Sequence, residues 1–203
     1  MHYIIASIRF YLDRQNILRV FATSSGSTTV EFALVAVPFI ALLGGIIQFA
    51  FIIWAGQNLD FMLQRAVRSL LTGNFQNANA GVTNSSTLLT NLKNVMCGSG
   101  TSAAATVFTC SNVKLNVSVI NSFGSAASAN SYDSANKSIS ASFESYTCAT
   151  PGQIVVVTAA VALPTFFKLL NPGVVVMADG SYLLQSAAVF RTEPYQTTTA
   201  TGC

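Results

Sequence analysis

The stretch "STTVEFALVAVPFIALLGGIIQFAFIIW", residues 27–54, decides the fold. Its last 23 residues, 32–54, carry no charge, and Gln48 is the only strongly polar residue among them. As an α-helix they extend about 34 Å, and the hydrocarbon core of a bilayer is about 30 Å thick. A buried helix of a soluble protein rarely has every face apolar over such a length. The stretch predicts a membrane-spanning helix at about residues 32–54, with Trp54 at the interface.

The apolar pattern changes after Trp54. Six apolar residues recur at the spacing of one helix face, and charged or amide side chains lie mainly on the other face. This stripe consists of Leu59, Met62, Leu63, Ala66, Val67 and Leu70. Gly73 is a typical helix stop. We therefore predict one long helix over residues 27–73, whose distal half packs on a folded domain.

The rest of the chain, residues 74–203, mixes strand and helix patterns. Strands are predicted at 112–120, 152–163 and 181–191, where apolar residues alternate or run continuously between turn signals. The segment "STLLTNLKNVMCG" predicts a short helix capped by Ser86, and "FFKLLNPG" a short helix or turn. Loops are predicted at 74–86 and 121–138. The expected fold class is α+β, a long N-terminal helix with a small antiparallel β-sheet domain packed on its distal half.

All four cysteines follow the apolar run, and they form no CxxC pair. The only histidine is His2, so a zinc site would need four thiolates at irregular spacing. Two disulfides in an oxidising compartment are the better interpretation. Three pairings are possible. Cys97–Cys110 with Cys148–Cys203 is favoured, because the first closes a short loop and the second would tie down the C-terminus.

Charge predicts the orientation of the chain. Residues 1–26 form a basic leader with Arg9, Arg14 and Arg19, which the positive-inside rule places in the cytoplasm. Arg65 and Arg68 follow the span and favour the opposite orientation, but the cysteines favour export of the distal domain.

Only 8% of residues are charged, and no basic cluster suggests nucleic acid as a partner.

Signatures of catalysis are scarce. The position of His2 in the leader excludes a Ser-His-Asp or Cys-His device in the exported part. The five distal acids show no spacing that singles out a pair, so we expect neither an enzyme nor a bound metal or cofactor. One carboxylate stands out by its place: Glu31 begins the apolar run, five residues after Gly26.

Two motifs carry a family resemblance. "GSTTVEFALVAVPFIALLGGIIQF", residues 26–49, resembles the Gly-x-x-x-x-Glu-(Phe/Tyr) processing motif of type IV pilin-like precursors, and more narrowly that of TadE-like pseudopilins of Flp/Tad pili. "AAVFRTEPY", residues 187–195, is similar to the closing strand of the same family. Arg191 and Glu193 in it predict an ordinary strand-end charge pair without a direct role in partner binding.

The resemblance implies a pilin-like fold and a processing site made of Gly26, Ser27, Glu31 and Phe32. A prepilin peptidase would cut after Gly26, and Glu31 would pair with the new amino group of Ser27 on a neighbouring subunit. The implied role is a minor pseudopilin in pilus assembly or adhesion. Its partners would be other pilin or pseudopilin subunits, the inner-membrane assembly machinery and lipid. The alternative is an uncleaved single-span anchor that displays an exported binding domain.

Overall fold

The computed structural model describes residues 27–98, 106–166 and 176–196. The predicted leader, residues 1–26, and most of "FFKLLNPG" lie outside these ranges. The chain divides into two compact units between Ile47 and Gln48.

One long helix, α1 (Ser27–Leu71), runs through the first described segment. Its part in the first unit, up to Ile47, is apolar and exposed, with Phe32 75% and Val37 71% accessible. Within the described ranges, α1 is the one helix that is long and apolar enough to cross a membrane. The sequence prediction of a long N-terminal helix is confirmed.

The distal half of α1 belongs to the second unit and is amphipathic. All six residues of the predicted stripe are at most 7% exposed and share one core with the sheet. Phe61, which falls outside the stripe, is 62% exposed, and the Arg65 guanidinium lies 5.4 Å from the centre of its ring. The period of the apolar residues therefore correctly identified the face that packs on the domain.

Two shorter helices follow, α2 (Asn74–Ala78) and α3 (Ser85–Cys97). The first lies in a predicted loop; it is held by the buried ring of Phe75 and by Gln76, whose amide donates to the carbonyl of Leu70 (3.1 Å). The predicted cap of α3 was wrong by two residues. Asn84 caps it, because its Oδ1 accepts hydrogen bonds from the backbone N–H groups of Ser86 and Thr87.

Among its described residues, the second unit has six strands: β1 (Lys114–Ile120), β2 (Tyr132–Asp133), β3 (Ser138–Ile139), β4 (Ser145–Tyr146), β5 (Ile154–Leu163) and β6 (Tyr182–Arg191). The main sheet has the order β4-β1-β5-β6, and β5 pairs antiparallel with both neighbours. The three long strands match those predicted. β4 pairs parallel with β1, so the sheet is mixed, and the prediction of an antiparallel sheet was wrong at this edge.

The central strand β5 is buried on both faces. Val155, Val157 and Ala159 face the core that α1 and α3 complete, and each is fully buried. On the opposite face Thr158 is also fully buried, and its hydroxyl accepts a hydrogen bond from the backbone N–H of Ala129 (3.2 Å). The segment before β2 thus covers the outer face of the sheet. This double coverage explains the continuous apolar run of β5.

Candidate processing and assembly site

The N-terminal part of α1 carries the predicted site. Ser27 is its first described residue, Glu31 follows the first turn, and both Glu31 and Phe32 are exposed. Gly26 lies outside the described residues. The structure therefore places the predicted carboxylate at the start of the apolar surface, within reach of another molecule.

The apolar surface of this segment surrounds the helix. Leu34, Val35 and Val37 are 71%, 68% and 71% exposed. Successive side chains of an α-helix point about 100° apart, so these three exposed side chains lie on different sides of the helix. Such a surface is typical of a helix that lies in lipid or packs against other apolar helices.

The C-terminal motif closes the far end of α1. The backbone N–H of Glu193 donates to the carbonyl of Leu71 (2.9 Å), which is one of the terminal carbonyls without a helical partner. The Tyr195 hydroxyl donates to the carbonyl of Ala149 (2.9 Å), and burial raises the pKa of this tyrosine above its usual range. The motif resembling the family thus fastens the sheet to the end of the long helix.

The predicted pair of Arg191 with Glu193 was wrong. Arg191 Nε donates instead to the carbonyl of Gly152 (2.7 Å). Both ion pairs among the described residues involve Glu144. The strand pairing explains the difference, because Arg191 lies opposite Ile154 and beside the turn that precedes β5.

Gly73 lies very close to Tyr195 of the C-terminal motif. Its φ of +75° is a left-handed conformation, and a Cβ at this position would overlap the ring of Tyr195. Gly73 follows the end of α1, as its sequence predicts for a helix stop. Its contact with Tyr195, which is 122 positions later in the chain, has no sequence signal.

We expect Gly73→Ala to destabilise the second unit. Left-handed backbone costs a non-glycine residue about 1–2 kcal/mol, and overpacking against Tyr195 adds about 1–3 kcal/mol. The measurement is chemical unfolding of the full chain in detergent micelles. Gly81→Ala is the matched control, because Gly81 has φ +84° and a Cβ at this position would meet no atom within 4 Å. Equal losses in the two variants would contradict the contact with Tyr195.

An ion-pair triad joins α3, β1 and the segment before β4. Glu144 contacts Lys93 Nζ at 3.0 Å and Lys114 Nζ at 2.6 Å. Partial burial acts to raise the pKa of Glu144, but hydrogen bonds from Lys114 and Lys93 outweigh it and hold the pKa below its usual range. The triad lies in the second unit, apart in sequence from the predicted processing residues.

The triad predicts a defined pH dependence. Because the folded-state pKa of Glu144 is lowered, its contribution of at most about 1 kcal/mol is complete above the ordinary carboxyl range and is lost as the pH falls through the folded-state pKa. We expect Glu144→Gln to flatten the acid limb of a plot of unfolding free energy against pH. Glu193→Gln, at an exposed carboxylate outside the triad, is the control. An unchanged acid limb in Glu144→Gln would contradict this role.

A disulfide joins Cys97, the last residue of α3, to Cys110. This is the pairing that the sequence favoured. The second predicted pairing involves Cys203, which lies outside the described residues, so Cys148–Cys203 stays a prediction. No cluster of three or more His, Cys, Asp or Glu side chains suited to a metal ion occurs within the described ranges.

These features define a class of protein: an exposed apolar helix that continues into an α+β domain packed on its distal half. Residues 26–68 match the model of the family described as TadE-like protein. That family consists of structural and assembly proteins of Tad pili. No curated protein and no solved structure matches the chain.

Proposed function

We propose that this chain is a minor pseudopilin of a Flp/Tad-type pilus, cut by a prepilin peptidase after Gly26, that acts in pilus assembly or adhesion. One observation carries the proposal. The family match begins at Gly26 and covers the helix whose first described turns expose Glu31 and an apolar surface.

Processing would occur at the bond between Gly26 and Ser27. Glycine lacks a Cβ, so a peptidase can hold the backbone closely at this position. The products would be the basic leader and a mature chain that begins with the amino group of Ser27. Glu31 would be the fifth residue of that chain.

Assembly would use the same end of the helix. A charged amino group in an apolar bundle is costly alone and tolerable when paired. Glu31 of one subunit can supply the carboxylate for the Ser27 amino group of a neighbour, four residues along the helix. This pairing would fix the register between subunits, while the surrounding apolar side chains supply contact area.

The proposed topology is a single pass of the bacterial inner membrane. The leader would stay in the cytoplasm, and the second unit would lie in the periplasm or in an extracellular pilus. The Cys97–Cys110 disulfide supports export, because disulfides persist in oxidising compartments. Partners on this proposal are the prepilin peptidase, other pilin or pseudopilin subunits, the inner-membrane assembly machinery and lipid.

The alternative is an uncleaved anchor that displays an exported binding domain. It is favoured by the extent of the family match, which ends at residue 68 and leaves most of the second unit unmatched. In that case the apolar helix would contact lipid alone, and Glu31 would have no partner subunit.

Piliation distinguishes the two functions. In a strain that carries a complete Tad locus, we expect deletion of this gene to reduce surface pili in electron micrographs, and a plasmid copy of the full chain to restore them. Normal pilus numbers in the deletion strain, with the protein still in the membrane of the parent, would favour the displayed anchor.

A further inference from the structure

From Gln48 onward, one side of α1 is covered by other residues of the second unit. The side chain of Gln48 is 3% exposed, and its amide donates to the Tyr182 hydroxyl (2.7 Å). Ala55, Leu163 and Tyr182 form a small apolar cluster, each at most 2% exposed. The end of β5 and the start of β6 therefore contact the helix within the predicted span of residues 32–54.

The same end of the unit presents large apolar side chains outward. Phe49, Ile53 and Trp54 of α1 are 50%, 60% and 57% exposed, and Phe166, just after β5, is 62% exposed. We name these four residues the apolar collar. The ring of Phe51 lies edge-on to both Trp54 (6.2 Å) and Phe166 (5.1 Å), so helix and domain contribute to one continuous apolar surface.

The number of helical residues needed to cross a bilayer gives the depth of this collar. At about 1.5 Å per residue, a hydrocarbon core about 30 Å thick takes about 20 residues of helix. Counted from Phe32, the first residue after Glu31, that length ends near Phe51. At this depth one side of α1 is already covered by Leu163 and Tyr182.

We infer that the apolar collar inserts into the interfacial zone of the bilayer that α1 spans, so that the exported domain rests on the membrane. This inference depends on the membrane anchorage in the proposed function. Its partner is lipid, because the collar continues the exposed apolar surface of α1 and no charged residue lies between Glu31 and Asp60. Aromatic side chains such as those of Trp54 and Phe166 are favoured at this depth.

The polar groups near the apolar collar are also compatible with the interfacial zone of the bilayer. The amide of Gln48 and the hydroxyl of Tyr182 bond to each other, which lowers the cost of holding them near hydrocarbon. The exposed carboxylate of Asp179 accepts hydrogen bonds from the N–H and hydroxyl of Ser181. On this proposal Asp179 lies among the lipid headgroups.

Tryptophan fluorescence tests the inference directly, because Trp54 is the only tryptophan of the chain. The full-length protein is reconstituted at high lipid excess in phosphatidylcholine vesicles, with or without bromine near the headgroup end of the acyl chains. The decisive variant is Phe166→Trp in a Trp54→Phe background. We expect its emission, and that of Trp54 in the parent, to fall strongly in the brominated vesicles.

Two matched controls use equally exposed phenylalanines of the same unit. Phe61 is 62% exposed and lies farther along α1, and Phe123 is 57% exposed. Phe123 follows β1, whose Ile120 pairs with Ile154 at the opposite end of β5 from Leu163. In the Trp54→Phe background, Phe61→Trp and Phe123→Trp should keep their emission in brominated lipid and be quenched by aqueous acrylamide.

The outcomes separate this inference from the proposed function. Quenching of Trp54 by brominated lipid, with Phe166→Trp quenched only by acrylamide, would overturn the inference and leave the anchor intact. Protection of Phe166→Trp from both quenchers would also overturn it, in favour of a second copy covering the collar. Lack of lipid quenching at both positions would overturn the inference, and only a protein that fails to float with the vesicles would contradict membrane anchorage as well. Far-ultraviolet circular dichroism of each variant, which reports the backbone and not the exchanged aromatic side chains, verifies its secondary structure.

Discussion

Gly26→Leu leaves the chain uncut when it is co-expressed with a prepilin peptidase that shortens the parent. The reason is steric. A peptidase that accepts glycine at the cleavage position leaves no room for a side chain there, so we expect leucine to clash with the enzyme. The parent should lose 26 residues, a difference that gel mobility and mass both resolve. We expect the loss of cleavage to be essentially complete.

A second glycine of the same chain serves as the control. Gly56 lies within α1, and a Cβ at this position would meet no atom within 4 Å other than those of its chain neighbours and of the backbone of α1 itself. Gly56→Leu should be inserted and cut as the parent is. Cleavage of Gly26→Leu at the parental rate would contradict the proposed processing site, whereas failure of both variants would indicate a defect of insertion.

Glu31→Ala is expected to be cut normally and to lose most of its ability to support piliation. The carboxylate is proposed to act after the cut, by pairing with the Ser27 amino group of a neighbouring subunit. Without it, that amino group would be unpaired in an apolar bundle, which is strongly unfavourable. The measurement combines the extent of cleavage with pilus counts in the complemented deletion strain.

Asp60→Ala is the matched control for this prediction. Asp60 is an exposed carboxylate on the same helix, 29 positions after Glu31 and outside the apolar surface. Its removal should leave both cleavage and pilus numbers unchanged. Equal piliation by Glu31→Ala and the parent would contradict the register role of Glu31, even with cleavage intact.

Features with a strong local pattern were predictable from the sequence. The uncharged run of residues 32–54 predicted a long apolar helix, because none of its side chains carries a charge that water would solvate. The stripe from Leu59 to Leu70 identified the packed face, because its period matches the helix. The three long strands had enough residues to show alternation or a continuous apolar run.

Other features depend on contacts between distant parts of the chain. β4 has only two residues, too few for a period, and it is defined by its pairing with Asn116 and Val117 of β1. The short strand β2 and the first residue of its partner β3 lie in the predicted loop 121–138 for the same reason. Gln48 looked like an isolated polar residue in a span, and only the fold brings Tyr182 to it. A local sequence pattern cannot predict a contact between two residues that are 134 positions apart.

The proposed pseudopilin function is tested most directly by the N-terminal sequence and intact, non-reduced mass of the protein recovered from membranes, with and without a co-expressed prepilin peptidase. We expect an N-terminus at Ser27 only when the peptidase is present, and a mass that is lower by four hydrogens for two disulfides. A chain that keeps Met1 despite an active peptidase would contradict the pseudopilin assignment and leave a membrane-anchored α+β domain.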